Sequence, residues 1–219
     1  LAASIAVGGW IAAIAATAIA YDLWLRGPVL GPLCLGACRA MHMAAPVAWL
    51  APERLQLFWY LPAGYGLYVF TLSRLARLEE KSPEELGTRP RKLISLQALC
   101  FATPLLLAGL ASETLSQDSL LAFADSGTTA PWHATLSSLW PITLLALGGA
   151  TLLMRRAVGS PIWNPARVQA SVGTALRLLL IYSAACAMTG GGTYRYAAAG
   201  LILFGYPLAH SLRKIFPPT

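Results

Sequence analysis

Charged residues are scarce in this sequence. Only 11% of its 219 residues are Asp, Glu, Lys or Arg, whereas 57% are hydrophobic and the mean hydropathy is +0.60. A soluble domain carries about 25% charged residues, so the composition excludes an ordinary water-soluble fold. Aspartate is rare even among the charged types, with only Asp22, Asp118 and Asp125. No D-x-x-x-D motif exists, which excludes a metal site built on aspartates at that spacing.

Cysteine and histidine are also few, with four and three residues. The cysteines all fall inside apolar runs, where small polarizable side chains suit close helix packing. Cys34 and Cys38 share a helix face, but no nearby His or Cys completes a zinc set. We therefore do not expect these residues to bind a structural or transported metal.

Apolar runs of bilayer-spanning length recur along the chain, and no long stretch alternates with period two, so helices are favoured over barrel strands. We predict an all-α, polytopic membrane bundle of about seven transmembrane helices, near residues 1–22, 30–50, 56–77, 92–112, 134–154, 168–188 and 196–213. No linker divides it, so residues 1–219 are expected to form one transmembrane domain. Because the chain opens on Leu1 without a preceding basic segment, we expect N-terminal helices of the full protein to be missing rather than a signal peptide.

The net charge of +7 is unevenly distributed. Basic residues concentrate after the first, third and fifth predicted spans and in the C-terminal tail: Arg26, Arg77, Lys81, Arg89, Arg91, Lys92, Arg155, Arg156, Arg167, Arg213 and Lys214. The opposite segments carry Arg54 and Arg195, and the segment from Glu113 to Trp132 carries acids only, as an exported loop should. This positive-inside pattern predicts a multi-pass protein of a bacterial inner membrane with its active face in the cytoplasm. It favours membrane lipids, and not nucleic acid, as partners.

Several arginines fall inside predicted spans, where a charge costs at least ~2.5 kcal/mol on insertion scales. Arg39 lies roughly 13 Å below the cytoplasmic end of the second span, and His42 lies on nearly the same helix face. This pair either forms an interhelical hydrogen-bonding cluster or lines a polar cavity for an anion, since a guanidinium fork suits phosphate oxygens. Arg177, in the sixth span, faces either the same interior or a lipid head group.

The third span ends in a dense group of charges. Tyr68, Thr71 and Arg74 follow one another at spacing three and share a broad face, and Arg77 and Glu80 are neighbours on the next turn. The arginines either snorkel to lipid phosphates, with the glutamates paired nearby, or belong to a shared site with Arg39. The following loop, EEKSPEELGTRPRK, is expected to be mobile and to act as a lid or as a solvated hairpin.

Two segments resemble a known family. AIAYDLWLRGPVLGPLCLGACRAMHMAAP, from Ala18 to Pro46, is similar to the part of UbiA-type prenyltransferases in which a helix ends on Tyr and a basic residue and a Gly/Pro turn starts the next. Its YDLWLRG, LGP and CR elements are most similar to the EboC-like branch. YVFTLSRLARLEE, starting at Tyr68, resembles that branch's T-x-x-[SA]-R-x-E segment. The resemblance is residue-specific from Ala18 to Glu80 and otherwise covers helix order.

This resemblance implies a UbiA-like bundle that transfers an isoprenoid chain from a prenyl diphosphate to an aromatic or lipid acceptor. In that superfamily two acidic motifs hold Mg²⁺ at the cytoplasmic mouth. The first, N-D-x-x-D, is absent here, which implies that the chain begins at the family's fourth helix. Glu79, supported by Glu80, occupies the second motif and is the implied Mg²⁺ ligand, while His42 stands where this branch has Asn.

The leading hypothesis is therefore a UbiA-like, Mg²⁺-dependent membrane prenyltransferase. Its candidate substrate-binding residues are Arg26, Arg39, His42, Tyr68, Arg74 and Arg77. The arginines at 39, 74 and 77 are expected to bind diphosphate, while Arg26 guards the entrance and Tyr68 lines the cavity. The alternative is a non-catalytic membrane protein that binds or transports a lipid-like or pigment precursor. A pure scaffold ranks last, because it leaves the intramembrane arginines without a purpose.

Overall fold

The structure, a computed structural model, describes the backbone of residues 2–50, 52–125, 133–159, 162–189 and 194–215, with side chains for 8–49, 52, 54–111, 140–159, 162–189 and 194–207. It is 87% helical, and the described part of the chain contains no strand. The predicted all-α class is confirmed.

Nine helices are found in the described ranges. They are α1 (Ala2–Leu23), α2 (Leu30–Leu50), α3 (Pro52–Phe58), α4 (Tyr60–Ala76), α5 (Pro83–Leu86), α6 (Arg89–Asp125), α7 (His133–Val158), α8 (Pro165–Met188) and α9 (Arg195–Ile215). Six of the predicted spans each fall on one helix, because long apolar runs without loop residues favour helix over any alternative. The third, 56–77, instead covers the end of α3 and all of α4, with a turn at Trp59 between them.

Three helical segments are long and apolar enough to cross a membrane, namely Arg89–Ala111, Trp140–Val158 and Pro165–Met188. Gly8–Leu23 is a shorter apolar helical segment. These segments support an all-α membrane protein by length and composition, among the residues described. The count of seven spans stays a prediction.

α6 differs from the expectation in length. The sequence predicts an exported loop from Glu113 onward, yet α6 continues as a helix to Asp125. Residues 110–125 contain neither Gly nor Pro and include many good helix formers such as Leu, Ala, Gln and Glu. Because nothing in that stretch stops a helix, local propensity extends α6 beyond its apolar part.

α4 lies at the centre of the bundle and packs against α2, α6 and α8. Its contact with α2 is a close crossing at two glycines. A Cβ atom added to Gly66 would lie 2.8 Å from the Gly36 carbonyl oxygen and 2.8 Å from the Ala40 Cβ. Small residues one turn apart on α2 therefore let the two backbones approach, as at many membrane helix crossings.

Two tyrosines join α4 to α8. The Tyr68 hydroxyl donates a hydrogen bond to the Ala175 carbonyl oxygen at 2.8 Å, and the Tyr182 hydroxyl donates one to the Leu61 carbonyl oxygen at 2.9 Å. These pairings run in opposite directions along the two helices, so α4 and α8 are antiparallel. Phe101 of α6 lies between the rings, 5.7 Å from Tyr68 and 5.6 Å from Tyr182 by centroid. The bundle core is thus an aromatic cluster whose hydroxyls are satisfied by backbone oxygens.

The connection from α4 to α6 is attached to this core. Leu78 is 7% exposed and Leu86, at the end of α5, is fully buried. These two leucines attach the connection to the core, while Glu80, Glu84 and Glu85 are exposed. Its role as a mobile lid or a solvated hairpin stays a prediction. Because leucine spacing in a charged loop carries little signal, the sequence did not indicate this attachment.

Candidate anion-binding site

An open pocket of ≈ 510 Å³ lies where the C-terminal end of α4 meets the start of α6 and the α1–α2 loop. Five cationic side chains line it, together with Pro28, Leu78 and Leu93: Arg74, Arg77, Lys81, Arg89 and Lys92. Among the described residues, its lining includes no carboxylate. We call this site the basic pocket.

The α1–α2 loop holds the two arginines of α4 in place. The Arg74 Nη1 atom donates a hydrogen bond to the Pro28 carbonyl oxygen at 3.1 Å, and the Arg77 Nη2 atom donates one to the Arg26 carbonyl oxygen at 3.0 Å. Each guanidinium has five N–H donors in a planar fork. One donor on each arginine is thus used for positioning, and further donors stay available to an anion.

Gly31 explains how the loop can approach so closely. A Cβ atom at this position would lie 2.8 Å from the Arg77 Nη2 atom and 3.0 Å from the Leu25 carbonyl oxygen. Any larger residue would compete with the guanidinium for the same space. A side chain at residue 31 would therefore displace the Arg77 guanidinium from its position against the α1–α2 loop.

The remaining cations come from the loop after α4 and from the first turn of α6. Lys81 pairs with Glu85 at 3.4 Å, in a contact whose side chains are 39% and 60% exposed. Arg89 and Lys92 are exposed, and they lie at the N-terminal end of α6, where the helix macrodipole adds positive potential. The pocket consequently favours a ligand that carries more than one negative charge.

The structure brings only some of the predicted site residues together. Arg74 and Arg77 line the basic pocket side by side. The Arg26 side chain turns outward and pairs with Asp22 at 3.6 Å, while its carbonyl oxygen supports Arg77. Arg26 thus borders the site through its backbone.

Arg39 and His42 lie elsewhere. Both are exposed on α2, and neither lines the basic pocket. Among the described residues, no hydrogen bond or ion pair involves either side chain. They lie two to three helical turns along α2 from the α1–α2 loop, which is the part of the chain that contacts Arg74. The expected convergence of Arg39 with Arg74 and Arg77 is therefore not seen.

Tyr68 is fully buried and makes the α4–α8 hydrogen bond, so its side chain belongs to the core below the pocket. Arg177 is occupied by the backbone as well. Its Nε atom donates to the Gly173 carbonyl oxygen at 3.0 Å, and its guanidinium lies 5.9 Å from the Tyr206 ring centroid. Both residues therefore have structural partners outside the pocket.

Glu79 and Glu80 were the implied Mg²⁺ ligands. They are consecutive residues in the turn after α4, Glu79 partly buried and Glu80 exposed, and neither lines the basic pocket. The described residues contain no group of three or more His, Cys, Asp or Glu side chains able to hold a metal ion. This ligand set does not fit a Mg²⁺ ion held by the protein alone.

Sequence reasoning missed Lys81, Arg89 and Lys92 as members of the site. It placed them on the cytoplasmic face, but it gave no reason to bring them against Arg74 and Arg77. The available signal was that α4 and α6 are nearly consecutive along the chain, and consecutive helices are usually neighbours in space. The role of the carbonyl oxygens at positions 26 and 28 carried no sequence signal.

The sequence also gave no role to Gln97. It is fully buried on α6, one turn deeper than Leu93 in the pocket wall, and neither its Nε2 nor its Oε1 atom has a hydrogen-bond partner. Helical side chains lean towards the N-terminus of their helix, so the amide leans towards the turn that borders the pocket. A buried amide without partners costs about 1–3 kcal/mol.

Comparison with known proteins does not assign this chain to a family. A scan against protein-family models, a search of curated proteins and a search of solved structures each found no match. The resemblance to UbiA-type prenyltransferases therefore stays a prediction that depends on the two segments quoted above.

Proposed function

We propose that this protein is a UbiA-like membrane prenyltransferase whose basic pocket binds the diphosphate of a prenyl diphosphate. In this proposal the chain belongs to a seven-span bundle in a bacterial inner membrane, with the pocket at the cytoplasmic face. The isoprenoid chain is transferred to an aromatic or lipid acceptor. The observation that carries the proposal is the convergence of five cationic side chains at one end of an apolar bundle.

The chemistry of the pocket suits a diphosphate better than a single phosphate. Arg74 and Arg77 are fixed by the α1–α2 loop, and Lys81, Arg89 and Lys92 face them from the other side. A charge-assisted hydrogen bond contributes about 1.5–3 kcal/mol, and planar guanidinium groups can engage phosphate oxygens in pairs. Several such bonds to one ligand require a polyanion of roughly diphosphate size.

Transfer requires the allylic C–O bond to break, and its electron pair leaves with the diphosphate. Fixed cations stabilise this leaving group more strongly as its charge increases, so they lower the barrier as well as binding the substrate. The acceptor then forms the new bond to the allylic carbon and gives up a proton. The apolar bundle beside the pocket excludes water from the cation until that bond forms.

Magnesium stays an expectation from the resemblance. Because Glu79 and Glu80 do not line the basic pocket, we route no step through a metal ion. The five cations supply the positive charge in this proposal, and a dependence of turnover on Mg²⁺ is a separate prediction.

One observation favours a second function, a membrane protein that binds or transports a lipid-like or pigment precursor without catalysis. The described residues lack the carboxylate cluster that the superfamily uses beside its basic residues. The same pocket would then hold an anionic head group without breaking a bond.

The test supplies labelled prenyl diphosphates, with Mg²⁺, to the protein in lipid bilayers. Both bound label and released diphosphate are measured. Arg77→Gln is the site variant, and Arg54→Gln, on α3 beside the N-terminal end of α4, is the matched control. The proposal expects diphosphate release that the site variant loses and the control retains.

Binding that requires Arg77 but releases no diphosphate, with any of the acceptors supplied, would favour the second function. Equal binding by the parent, the site variant and the control would show that the basic pocket is not the site, and both functions would then lose their support.

A further inference from the structure

A second open pocket lies on the outer side of α6, beside the basic pocket. It has a volume of ≈ 540 Å³ and is lined by Thr88, Arg91, Lys92, Ser95, Leu96 and Leu99. We call it the outer pocket. Its polar residues lie at the start of α6, and its leucines follow within the next two turns.

The polar part of the outer pocket carries uncompensated positive charge. Arg91 and Lys92 are both exposed, and among the described residues neither side chain has a hydrogen bond or an ion pair. The Ser95 and Thr88 hydroxyls add donors beside them. This end of the pocket is therefore suited to a negatively charged group.

The apolar part continues as a stripe of exposed leucines. Leu96, Leu99, Leu107 and Leu110 are 46%, 63%, 47% and 58% exposed, respectively. At 100° per residue, all four lie within one face of α6, and Lys92 lies on the same face. The stripe from Leu96 to Leu110 is about 21 Å long.

The position of the leucine stripe on α6 indicates that it faces membrane lipid. It runs along Arg89–Ala111, the most apolar of the candidate membrane-spanning segments, with a mean hydropathy of 1.9. Its length exceeds one leaflet of a bilayer, which has about 15 Å of hydrocarbon. A basic group at the start of a span, followed by an apolar face as long as a leaflet, matches the two parts of a phospholipid.

We propose that the outer pocket binds an anionic phospholipid. Arg91, Lys92 and Ser95 bind its phosphate and head group, and the acyl chains lie along the leucine stripe. A free phosphate ion would use the polar part alone, so the exposed leucines favour a lipid. The proposal rests on α6 crossing the membrane and does not depend on prenyl transfer.

The experiment reconstitutes the whole chain with equal amounts of phosphatidylglycerol and phosphatidylethanolamine and counts retained lipids by native mass spectrometry. Arg91→Gln is the test variant, because Arg91 lines the outer pocket only, whereas Lys92 lines both pockets. Arg155→Gln is the control, since Arg155 is an exposed arginine at the end of α7 and lines neither pocket. Circular dichroism checks that each variant is folded.

The parent and the Arg155 variant should retain phosphatidylglycerol preferentially. The Arg91 variant should retain about fivefold less, as expected for one basic residue near a membrane surface. Leu99→Asn keeps every charge but interrupts the stripe, so it should also lower retention.

Four results would overturn the proposal. Equal retention by the Arg91 and Arg155 variants would remove the assigned residue, and equal retention of both lipid types would show only a non-selective annular lipid. Displacement by inorganic phosphate, or a lipid-free dimer that covers this face of α6, would assign the pocket to another occupant.

Discussion

The two ends of α4 have opposite chemistry. Its C-terminal end borders the basic pocket, with five cations in the lining. Its N-terminal end borders a cavity of ≈ 290 Å³ between α2, α3 and α8, where Arg54 is the single charged residue in a lining of described apolar and small side chains. One helix thus separates a basic pocket from an apolar cavity.

Of the two ends of α4, the one that borders the basic pocket is the one whose composition calls for a functional explanation. An apolar cavity in an apolar bundle follows from imperfect packing and needs no further cause. Five cations at the opposite end do need one, because like charges repel unless an anion or solvent compensates them. The contacts with the carbonyl oxygens at positions 26 and 28 fix two of these cations in spite of that repulsion.

The largest expected effect comes from the helix crossing between the two ends. In Gly66→Leu, the new side chain would meet the Gly36 carbonyl oxygen and the Ala40 side chain, and backbone atoms cannot move aside cheaply. We expect the free energy of unfolding to fall by about 3 kcal/mol. The basic pocket and the apolar cavity at the two ends of α4 should both be lost. Thermal unfolding in detergent measures it, and Gly148→Leu, at a glycine with open space around it, serves as control.

The next largest effect is a difference in diphosphate binding between variants at the two ends of α4. Arg77→Gln should weaken binding of a prenyl diphosphate about tenfold or more, because it removes a charge-assisted hydrogen bond of about 1.5–3 kcal/mol. Arg54→Gln should change it less than about twofold, because at this range the charge of Arg54 is screened. Equilibrium binding with labelled ligand measures both, and similar losses in the two variants would erase the distinction between the ends.

A smaller effect, an increase in the free energy of unfolding, is expected on substitution of Gln97 below the basic pocket. Gln97→Met replaces an amide without hydrogen-bond partners by an apolar side chain of similar size, so the free energy of unfolding should rise by about 1 kcal/mol. A higher Tm with unchanged diphosphate binding would identify Gln97 as an unsatisfied core residue. A higher Tm with weaker binding would place its amide in contact with the ligand.

The smallest effect concerns the exposed pair at the rim of the basic pocket. Glu85→Gln removes the partner of Lys81, whose contact is largely solvated. The free energy of unfolding should change by less than about 0.5 kcal/mol, while diphosphate binding should strengthen slightly because Lys81 is released towards the ligand. Weaker binding in this variant would contradict the assignment of Lys81 to the site.

The sequence predicted the helices well and the site in part. Apolar run length located every described helix of bilayer size, since spacing and composition are local properties. The pair of Arg74 and Arg77 was also predictable, because two arginines one turn apart share a helix face.

What the sequence did not predict depends on tertiary contacts. Arg39 looked like a site residue by depth alone, but the rotation of α2 about its axis is set by the crossing at Gly36 and Gly66, which leaves Arg39 exposed. Leu78 and Leu86 attach a charged loop to the core, and the local sequence pattern does not reveal such contacts.

The most direct test of the central claim is the affinity of the protein, in lipid bilayers, for a labelled prenyl diphosphate before and after the double substitution of Arg74 and Arg77 by glutamine. If the basic pocket binds the diphosphate, the parent should show saturable binding and competition by inorganic pyrophosphate, and the folded double variant should lose roughly a hundredfold or more in affinity. Undiminished binding by that variant, or no competition by pyrophosphate, would contradict it.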